Sequence, residues 1–165
     1  MREEKLIKVF KINIFENKIL KIGIIGEKLC YLGFEKDDIY QFYKGYKVRN
    51  VLRKDEFEKY IDILRKFEKK EKIELNFEDF FLPNLTEKQL NVLKELVKLD
   101  YGQYMTYSDF AKHINKPDHT RFIATCMAQN PILLIVPCHR IISKNNEIKY
   151  RSGSEIKKFL IKNNY

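Results

Sequence analysis

Residues 130–142 read NPILLIVPCHRII, and this stretch sets the arrangement of the second half of the chain. Asn130-Pro131 ends a preceding helical pattern, because proline lacks a main-chain N–H and its ring clashes with the previous helical turn. The wholly aliphatic run Ile132–Val136 predicts a buried extended segment. That segment delivers Cys138 to its end, so the stretch that shapes the fold also places a thiol.

Cys138 is the candidate nucleophile. A thiolate is a strong nucleophile and a free thiol is a poor one. His139 and Arg140 follow directly and offer a base and a positive charge that would favour the anion. The alternative is an inert buried cysteine beside an apolar strand. For an arbitrary Cys-His-Arg tripeptide that alternative would win, because adjacent strand residues point to opposite faces.

Helical signals precede this stretch. Thr86 with Gln89 predicts a capping box at the start of a helix, and Gly102 follows its end. Thr106 with Asp109 predicts the start of a second, shorter helix. A linker that ends near Pro83 is predicted to separate this helical C-terminal half from the N-terminal half of the chain.

A third helix is predicted from about His119 to Gln129, after a turn at 115–117 and with Asp118 as its cap. Two short helices joined by a tight turn fit a helix-turn-helix, although many helical hairpins bind no DNA. After a loop, Ser154 is predicted to cap a last helix.

The N-terminal half is predicted to be α+β. Three strands, at about 6–14, 18–25 and 28–34, are separated by turn residues and indicate an antiparallel meander. Asp55–Lys70 has the apolar spacing of an amphipathic helix. Residues 71–85 are predicted to form a short strand and then a linker, while residues 38–50 show no clear pattern.

Length and composition bound the class of protein. The chain has 165 residues, enough for one ordinary domain or two small ones, and 44% of them are hydrophobic, which allows a packed core. Two domains are predicted, 1–85 and 86–165. A net charge of +9 favours a polyanionic partner. Three cysteines without a close pair make a poor disulfide framework, and no Cys/His spacing predicts a metal site. The start lacks a signal-peptide pattern and no apolar run could span a bilayer, so an intracellular, cytoplasmic protein is expected.

An aliphatic pair followed by Pro-Cys-His-Arg resembles the O6-alkylguanine-DNA alkyltransferase family, the methylated-DNA–protein-cysteine methyltransferases. Gly102-x-x-x-Thr106-Tyr107 and Tyr150-x-x-Gly153-x-x-x-Lys157 extend the resemblance from about Leu85 to Phe159. The N-terminal half matches only in length and in its strand-rich, helix-containing pattern. The resemblance implies an α+β two-domain fold, with a ribonuclease-H-like N-terminal domain and a helical C-terminal domain containing a helix-turn-helix.

The resemblance also implies the chemistry. Cys138 would take the alkyl group from guanine O6 in DNA and keep it as a thioether, once per molecule and without a cofactor. His139 would act as the base through a water, and Asn130 would brace the turn before the active-site segment, although it also fits a simple helix-stop residue. Tyr107 would donate its hydroxyl towards the base; without the family, a core aromatic would be favoured. Asn164 stands where most members have a glutamate that orients the histidine.

The partner implied is double-stranded DNA containing O6-alkylguanine, bound by a monomer through the minor groove with the damaged nucleotide flipped out. Arg121 would fill the gap left in the stack, although a phosphate contact or a solvated surface position is the alternative. Ala124 and Ala128 would permit close approach, and Thr106 would contact DNA. Met127 would form an apolar wall for the guanine, although a core methionine is the default.

The loop before the last helix departs from the family. A Ser-Gly-Gly-like run is expected, but Arg151 and Ser152 follow Tyr150, and these two are assigned to guanine contact. The zinc ligands of some animal members have no counterparts. Three other functions are weighed: an alkyltransferase-like protein that binds the lesion without transfer, a cysteine hydrolase that turns over, and a transcription regulator. The first class typically has Trp in place of the cysteine, and this chain has no Trp.

Overall fold

The computed structural model describes residues 5–145 and 147–165. The chain divides into two compact units, one ending at Asn84 and the other beginning at Leu85. Among the described residues, no helix is both long enough and apolar enough to cross a membrane. Within the same ranges, no group of three or more His, Cys, Asp or Glu side chains is placed to hold a metal ion.

The N-terminal unit is built on a four-stranded sheet with the order β3-β2-β1-β4. Apolar and polar residues alternate along the first strand, whereas residues 29–34 of the third strand are buried on both faces of the sheet. The predicted meander is confirmed, since β1 pairs antiparallel with β2, and β2 with β3. The strands are β1 (Leu6–Ile14), β2 (Lys18–Ile25), β3 (Lys28–Phe34) and β4 (Lys47–Asn50).

The antiparallel arrangement predicted for the first three strands does not extend to β4. This strand lies beside β1 and runs parallel to it, with Leu6 opposite Lys47 and Val9 opposite Asn50. The connection after β3 carries the chain across to the far edge of the sheet, so β4 starts at the same end as β1. A short 3-10 turn at Ile39–Gln41, capped by Asp38, lies within that connection.

One helix packs with this sheet. A 3-10 turn at Asp55–Phe57 leads into α1 (Glu58–Glu68), which confirms the predicted amphipathic helix. Its apolar residues recur every three or four positions and bury one stripe of the helix. The Tyr60 hydroxyl also donates to the main-chain oxygen of Glu27 at 2.7 Å, which ties the helix to the turn between β2 and β3.

The short strand predicted in residues 71–85 is wrong. The described chain there has one 3-10 turn, Phe77–Asp79, and a single isolated bridge between Leu29 and Phe80. The apolar residues in this stretch serve to bury Phe80 beside Phe77, whose ring centroid lies 5.1 Å away. They do not alternate long enough to support a ladder of strand hydrogen bonds.

The C-terminal unit is mainly helical. Both hydrogen bonds of the predicted capping box join Thr86 and Gln89, and Thr106 caps the next helix by accepting from the amide of Asp109. Two-residue strands, β5 (Met105–Thr106) and β6 (Ile141–Ile142), pair in parallel. The helices are α2 (Glu87–Leu96), α3 (Tyr107–His113), α4 (Thr120–Ala128) and α5 (Ser154–Lys162).

Two predicted helix caps are wrong. The residue before α4 is His119, and neither it nor Asp118 caps the helix through its side chain. The residue before α5 is Gly153, with φ 102°, a backbone conformation that favours glycine, and Ser154 is already helical. Both helices therefore begin without a hydrogen bond from a capping side chain.

Candidate active site

The stretch from Asn130 to Ile141 is buried at every residue, and it is a turn where an extended segment was predicted. Leu134 adopts φ 71°, in the left-handed region, and the amide of Ile135 donates to the oxygen of Leu133. An aliphatic run has no periodicity that separates a strand from a buried turn. The run therefore predicted burial correctly and backbone conformation wrongly.

The Asn130 side chain holds this turn closed. Its amide donates to the main-chain oxygen of Val136 at 2.9 Å, and its oxygen accepts from the amide of Ile132 at 2.9 Å. Buried main-chain groups need partners, and here one side chain supplies a donor and an acceptor that a sheet would otherwise provide. Asn130 is itself only 1% exposed. It therefore spans the turn that leads from α4 to Cys138.

Cys138 opens a short 3-10 turn, Cys138–Arg140, and is 6% exposed. Burial raises the pKa of its thiol, because a thiolate loses solvation in an apolar environment. A hydrogen bond from the Asn130 side chain and the nearby charges of Arg151 and Lys157 act in the opposite direction. Burial has the larger effect, so the thiol is protonated at rest and two cations lower the cost of ionising it.

Lys157 is a site residue that the sequence reasoning did not identify. It is 2% exposed, and its ammonium donates to the main-chain oxygens of Ile141 at 2.8 Å and Lys149 at 3.1 Å. Burial lowers the pKa of Lys157 and Cys138 raises it. The available signals were its place at the end of the motif Tyr150-x-x-Gly153-x-x-x-Lys157 and its position three residues before the buried Leu160.

Arg151 and Ser152 are both half-buried in the loop before α5. The Arg151 guanidinium donates from Nη1 to the main-chain oxygen of Asn130 at 2.6 Å. This contact joins the loop to the turn that carries Cys138. Arg151 therefore belongs to the surroundings of the thiol, whether or not it also contacts a substrate.

His139 is fully buried. Burial lowers the pKa of its imidazole to about 3, with the charges of Arg140 and Lys157 acting in the same direction, and a main-chain hydrogen bond with Tyr165 opposes them. The imidazole is therefore neutral near pH 7. It can accept a proton, but it adds no positive charge beside Cys138.

Arg140 also differs from the sequence expectation. Its Nε donates to the main-chain oxygen of Tyr165 at 2.8 Å and its Nη1 to that of Leu99 at 2.5 Å. The guanidinium also lies 5.0 Å from the centre of the Tyr101 ring. The charges that act on Cys138 are Arg151 and Lys157, so Arg140 serves as a structural clamp.

Asn164 is exposed and has φ 60° in the turn that ends α5. A main-chain hydrogen bond links His139 with Tyr165, the residue after Asn164. Asn164 lies at the surface beside Gly102, whereas the imidazole is fully buried. The position where the family places a glutamate is occupied here by a helix-terminating asparagine.

Tyr107 lies close to the thiol. It is the first residue of α3 and is half-buried. Burial raises the pKa of its hydroxyl, and the charge of Cys138 raises it further. The hydroxyl therefore stays protonated and can donate a hydrogen bond near the sulfur. Thr106, just before it, uses its hydroxyl as a helix cap and lies 3.4 Å from the Ser108 hydroxyl.

One face of α4 is accessible to solvent. Arg121 and Ala128 are exposed and Ala124 is half-buried, and the spacing of 121, 124 and 128 places them on the same side of the helix. Met127 is 8% exposed and belongs to the inward side of the helix. Cys126 is also inward, and burial raises the pKa of its thiol to about 11.

Known proteins resemble the chain in both sequence and fold. A family model for the 6-O-methylguanine DNA methyltransferase DNA binding domain matches residues 87–164. The inducible methylated-DNA–protein-cysteine methyltransferase of Bacillus subtilis is 44% identical over 77 residues, which are 46% of this chain and 43% of that protein. The chain spans only about half the length of several relatives that it matches.

Longer matches cover both units. The methylated-DNA–protein-cysteine methyltransferase of Haemophilus influenzae is 31% identical over 149 residues, covering 82% of this chain and 74% of that protein. The structure of an O6-methylguanine-DNA methyltransferase from Pyrococcus kodakaraensis has a TM-score of 0.66 and 25% identity, covering 94% of this chain and 97% of that one. The mixed fold of sheet and helices is thus that of these proteins. The chain belongs to the methylated-DNA–protein-cysteine methyltransferase family.

Proposed function

We propose that this protein repairs DNA by moving the alkyl group of O6-alkylguanine onto its own Cys138, once per molecule. The observation that carries the proposal is the surroundings of Cys138. A nearly buried thiol lies with a hydrogen-bonding amide, a neighbouring phenol and two cations, in a chain whose relatives are named for this reaction.

The proposed step balances without a cofactor. The sulfur attacks the alkyl carbon, an S–C bond forms, and the bond between that carbon and O6 breaks with its electrons passing to guanine. The thiol proton is released as the sulfur attacks, and the departing guanine takes up one proton. A thioether is not hydrolysed as a thioester is, so the protein is consumed.

Two groups have proposed roles in proton transfer. Tyr107, whose hydroxyl has a raised pKa, donates a hydrogen bond to the leaving guanine. His139 is neutral and accepts the thiol proton through a water. Its lowered pKa makes it a weak base, so we assign it a transient role. Asn130 positions the thiol through the turn that it spans.

The DNA-binding mode is also a proposal. Helices α3 and α4 serve as a helix-turn-helix, and α4 enters the minor groove of duplex DNA with the lesion flipped into the protein. The accessible face of α4 supports this, because small residues at 124 and 128 permit close approach and Arg121 can fill the vacated stack. Thr106 would contact the DNA backbone at the start of α3.

The flipped guanine is proposed to pack against Met127 and the loop containing Ser152. Arg151, assigned to guanine contact from the sequence, already donates to Asn130. We also propose that residues 1–85 form a ribonuclease-H-like domain and 86–165 the DNA-binding and alkyl-acceptor domain. Support for the first comes from the sheet order, with three antiparallel strands and a fourth parallel to the first. The protein is proposed to act as a monomer.

One experiment tests the reaction. The protein is mixed with duplex DNA that carries labelled O6-methylguanine, and the label is followed by peptide mass spectrometry. We expect one label per protein, on Cys138, and none with Cys138→Ala. Cys30→Ala is the matched control, because Cys30 is a buried thiol of the N-terminal unit whose pKa burial raises to about 12.

The rival functions give different results. A lesion-binding protein would retain the labelled DNA without label on the protein. A hydrolase would release more than one label per molecule. A transcription regulator would neither prefer the lesion nor take up label. Label on Cys126 or Cys30 would contradict the assignment of Cys138.

A further inference from the structure

We propose that Arg151 is a positioning residue for Cys138: it fixes the turn that carries the thiol and places a permanent positive charge beside the sulfur. This inference rests on the proposed function of Cys138 as the alkyl acceptor. It gives Arg151 a role on the protein side of the reaction, in place of contact with the guanine.

The first support is the hydrogen bonding around Asn130. Arg151 holds the main-chain oxygen of Asn130 at 2.6 Å, and the Asn130 side chain holds Val136 and Ile132. The same side chain lies close enough to Cys138 to lower the pKa of its thiol. The guanidinium is therefore linked to the sulfur through one intervening residue, the buried Asn130, whose side chain makes hydrogen bonds of its own. A movement of Arg151 changes the position of the amide that meets the thiol.

The second support is the set of groups that face Cys138. Tyr107 comes from α3, Asn130 from the end of α4, Arg151 from the loop and Lys157 from α5. His139, the next residue, is neutral at pH 7, and Arg140 is held by Leu99 and Tyr165. The charges acting on the thiol are those of Arg151 and Lys157, and Arg151 has the larger effect.

A third support is the kind of side chain. An arginine carries a delocalised, strongly basic guanidinium, so it supplies a permanent positive charge even when partly buried. Lys157 is buried, and the pKa of its ammonium is lowered. Arg151 is the more constant of the two charges near the sulfur.

The test measures thiol reactivity without DNA. Cys138 is alkylated with iodoacetamide across a pH series, and the modified peptide is quantified by mass spectrometry. We expect Arg151→Gln to move the midpoint of the pH profile upwards by about one unit, which slows alkylation about tenfold below the midpoint. The plateau rate at high pH should stay close to that of the wild type. Arg151→Lys keeps the charge and should keep the midpoint.

Control variants separate charge from structure. Lys158→Gln removes a charge from an exposed position on α5 and should leave the profile unchanged. Arg151→Met provides a second neutral side chain if the glutamine variant does not fold. Equal midpoints in wild type, Arg151→Gln and Arg151→Met would overturn the proposal. So would a lowered plateau without a moved midpoint, or the same shift in Arg151→Lys.

A parallel assay distinguishes a failure of this inference from a failure of the proposed function. Transfer of labelled methyl from O6-methylguanine DNA is measured on the same samples, and its rate near pH 7 should fall with the alkylation rate in Arg151→Gln. Absence of transfer in the wild type would count against the proposed function, while the iodoacetamide profile would still decide the role of Arg151. A midpoint that moves without any change in transfer would show that ionisation of this thiol does not limit the reaction.

Discussion

The two units of this molecule satisfy their main-chain groups in different ways. In the sheet of the N-terminal unit they pair with each other, in the ladders that join β1 to its neighbours. In the C-terminal unit, long polar side chains hold main-chain oxygens around the thiol. A ladder spreads its stability over many equivalent bonds, whereas each of these side chains is unique. Single substitutions near Cys138 should therefore have larger effects than comparable ones in the sheet.

The largest expected effect is at Asn130. Asn130→Ala removes a donor and an acceptor, and it leaves the oxygen of Val136 and the amide of Ile132 buried without these partners. Each such group costs roughly 1–3 kcal/mol, so the free energy of unfolding should fall by about 3 kcal/mol. Urea unfolding measures it. A loss below about 1 kcal/mol would mean that the turn is stable without the Asn130 side chain. It would contradict the expectation that single side chains matter more here than in the sheet.

The next effect is a pH dependence at His139. Its pKa is about 3 in the folded protein and near 6.5 in an unfolded chain, so the unfolded state binds more protons between these values. Stability should therefore fall as the pH drops below 6.5, by at most about 1.4 kcal/mol per pH unit.

The pH prediction is measured by urea unfolding between pH 6.5 and 5, where most carboxylates remain ionised. His139→Gln should flatten the slope, and His113→Gln, at an exposed position, should not. The three histidines of the chain all follow residue 85, so this dependence belongs to the C-terminal unit. Identical slopes in the wild type and His139→Gln would contradict the neutral, buried imidazole.

A smaller effect is expected at Arg121. If Arg121 supports base flipping, Arg121→Ala should slow transfer from duplex DNA about tenfold, because extrusion costs a few kcal/mol and the side chain offsets part of it. Transfer from the free base O6-benzylguanine should be unchanged, since a free base needs no extrusion. Arg49→Ala, at an exposed position of β4, is the matched control and should alter neither rate. Equal losses on both substrates would remove Arg121 from this role.

The smallest effect is expected in the N-terminal unit. The Tyr43 hydroxyl donates to the oxygen of Cys30 at 2.5 Å, with a longer contact to that of Phe81. Tyr43→Phe should lower the free energy of unfolding by about 1 kcal/mol and leave the transfer rate unchanged. Unfolding and transfer are measured on the same preparation. A loss as large as that of Asn130→Ala would show that single side chains matter equally in both units.

The same contrast explains which features could be predicted from the sequence. Alternation along β1 to β3 and the caps at Thr86 and Thr106 are local patterns, and the structure has them as predicted. The short, polar β4 has no pattern of its own, and its position depends on pairing with β1. The run Ile132–Val136 predicted burial but could not reveal its left-handed turn, because that turn depends on the Asn130 side chain.

The grouping of side chains at the candidate site was predictable, and its electrostatics less so. Cys138, Asn130 and Tyr107, which the family resemblance singled out, lie near one another, while their roles stay predictions. The positive charge expected from Arg140 comes instead from Arg151 and Lys157, which lie 13 and 19 residues after the thiol in the sequence. Neighbours in sequence are a poor guide to neighbours in space where the chain turns sharply, and no local pattern records these two contacts.

The depth of Cys138 has a consequence for how long the protein stays usable. Peroxides oxidise thiolates far faster than thiols, and they need access to the sulfur. With the sulfur 6% exposed and the pKa of the thiol raised by burial, Cys138 is shielded from conversion to a sulfenic acid while no DNA is bound. For the proposed single transfer, this shielding would keep the acceptor thiol reduced until a lesion is bound.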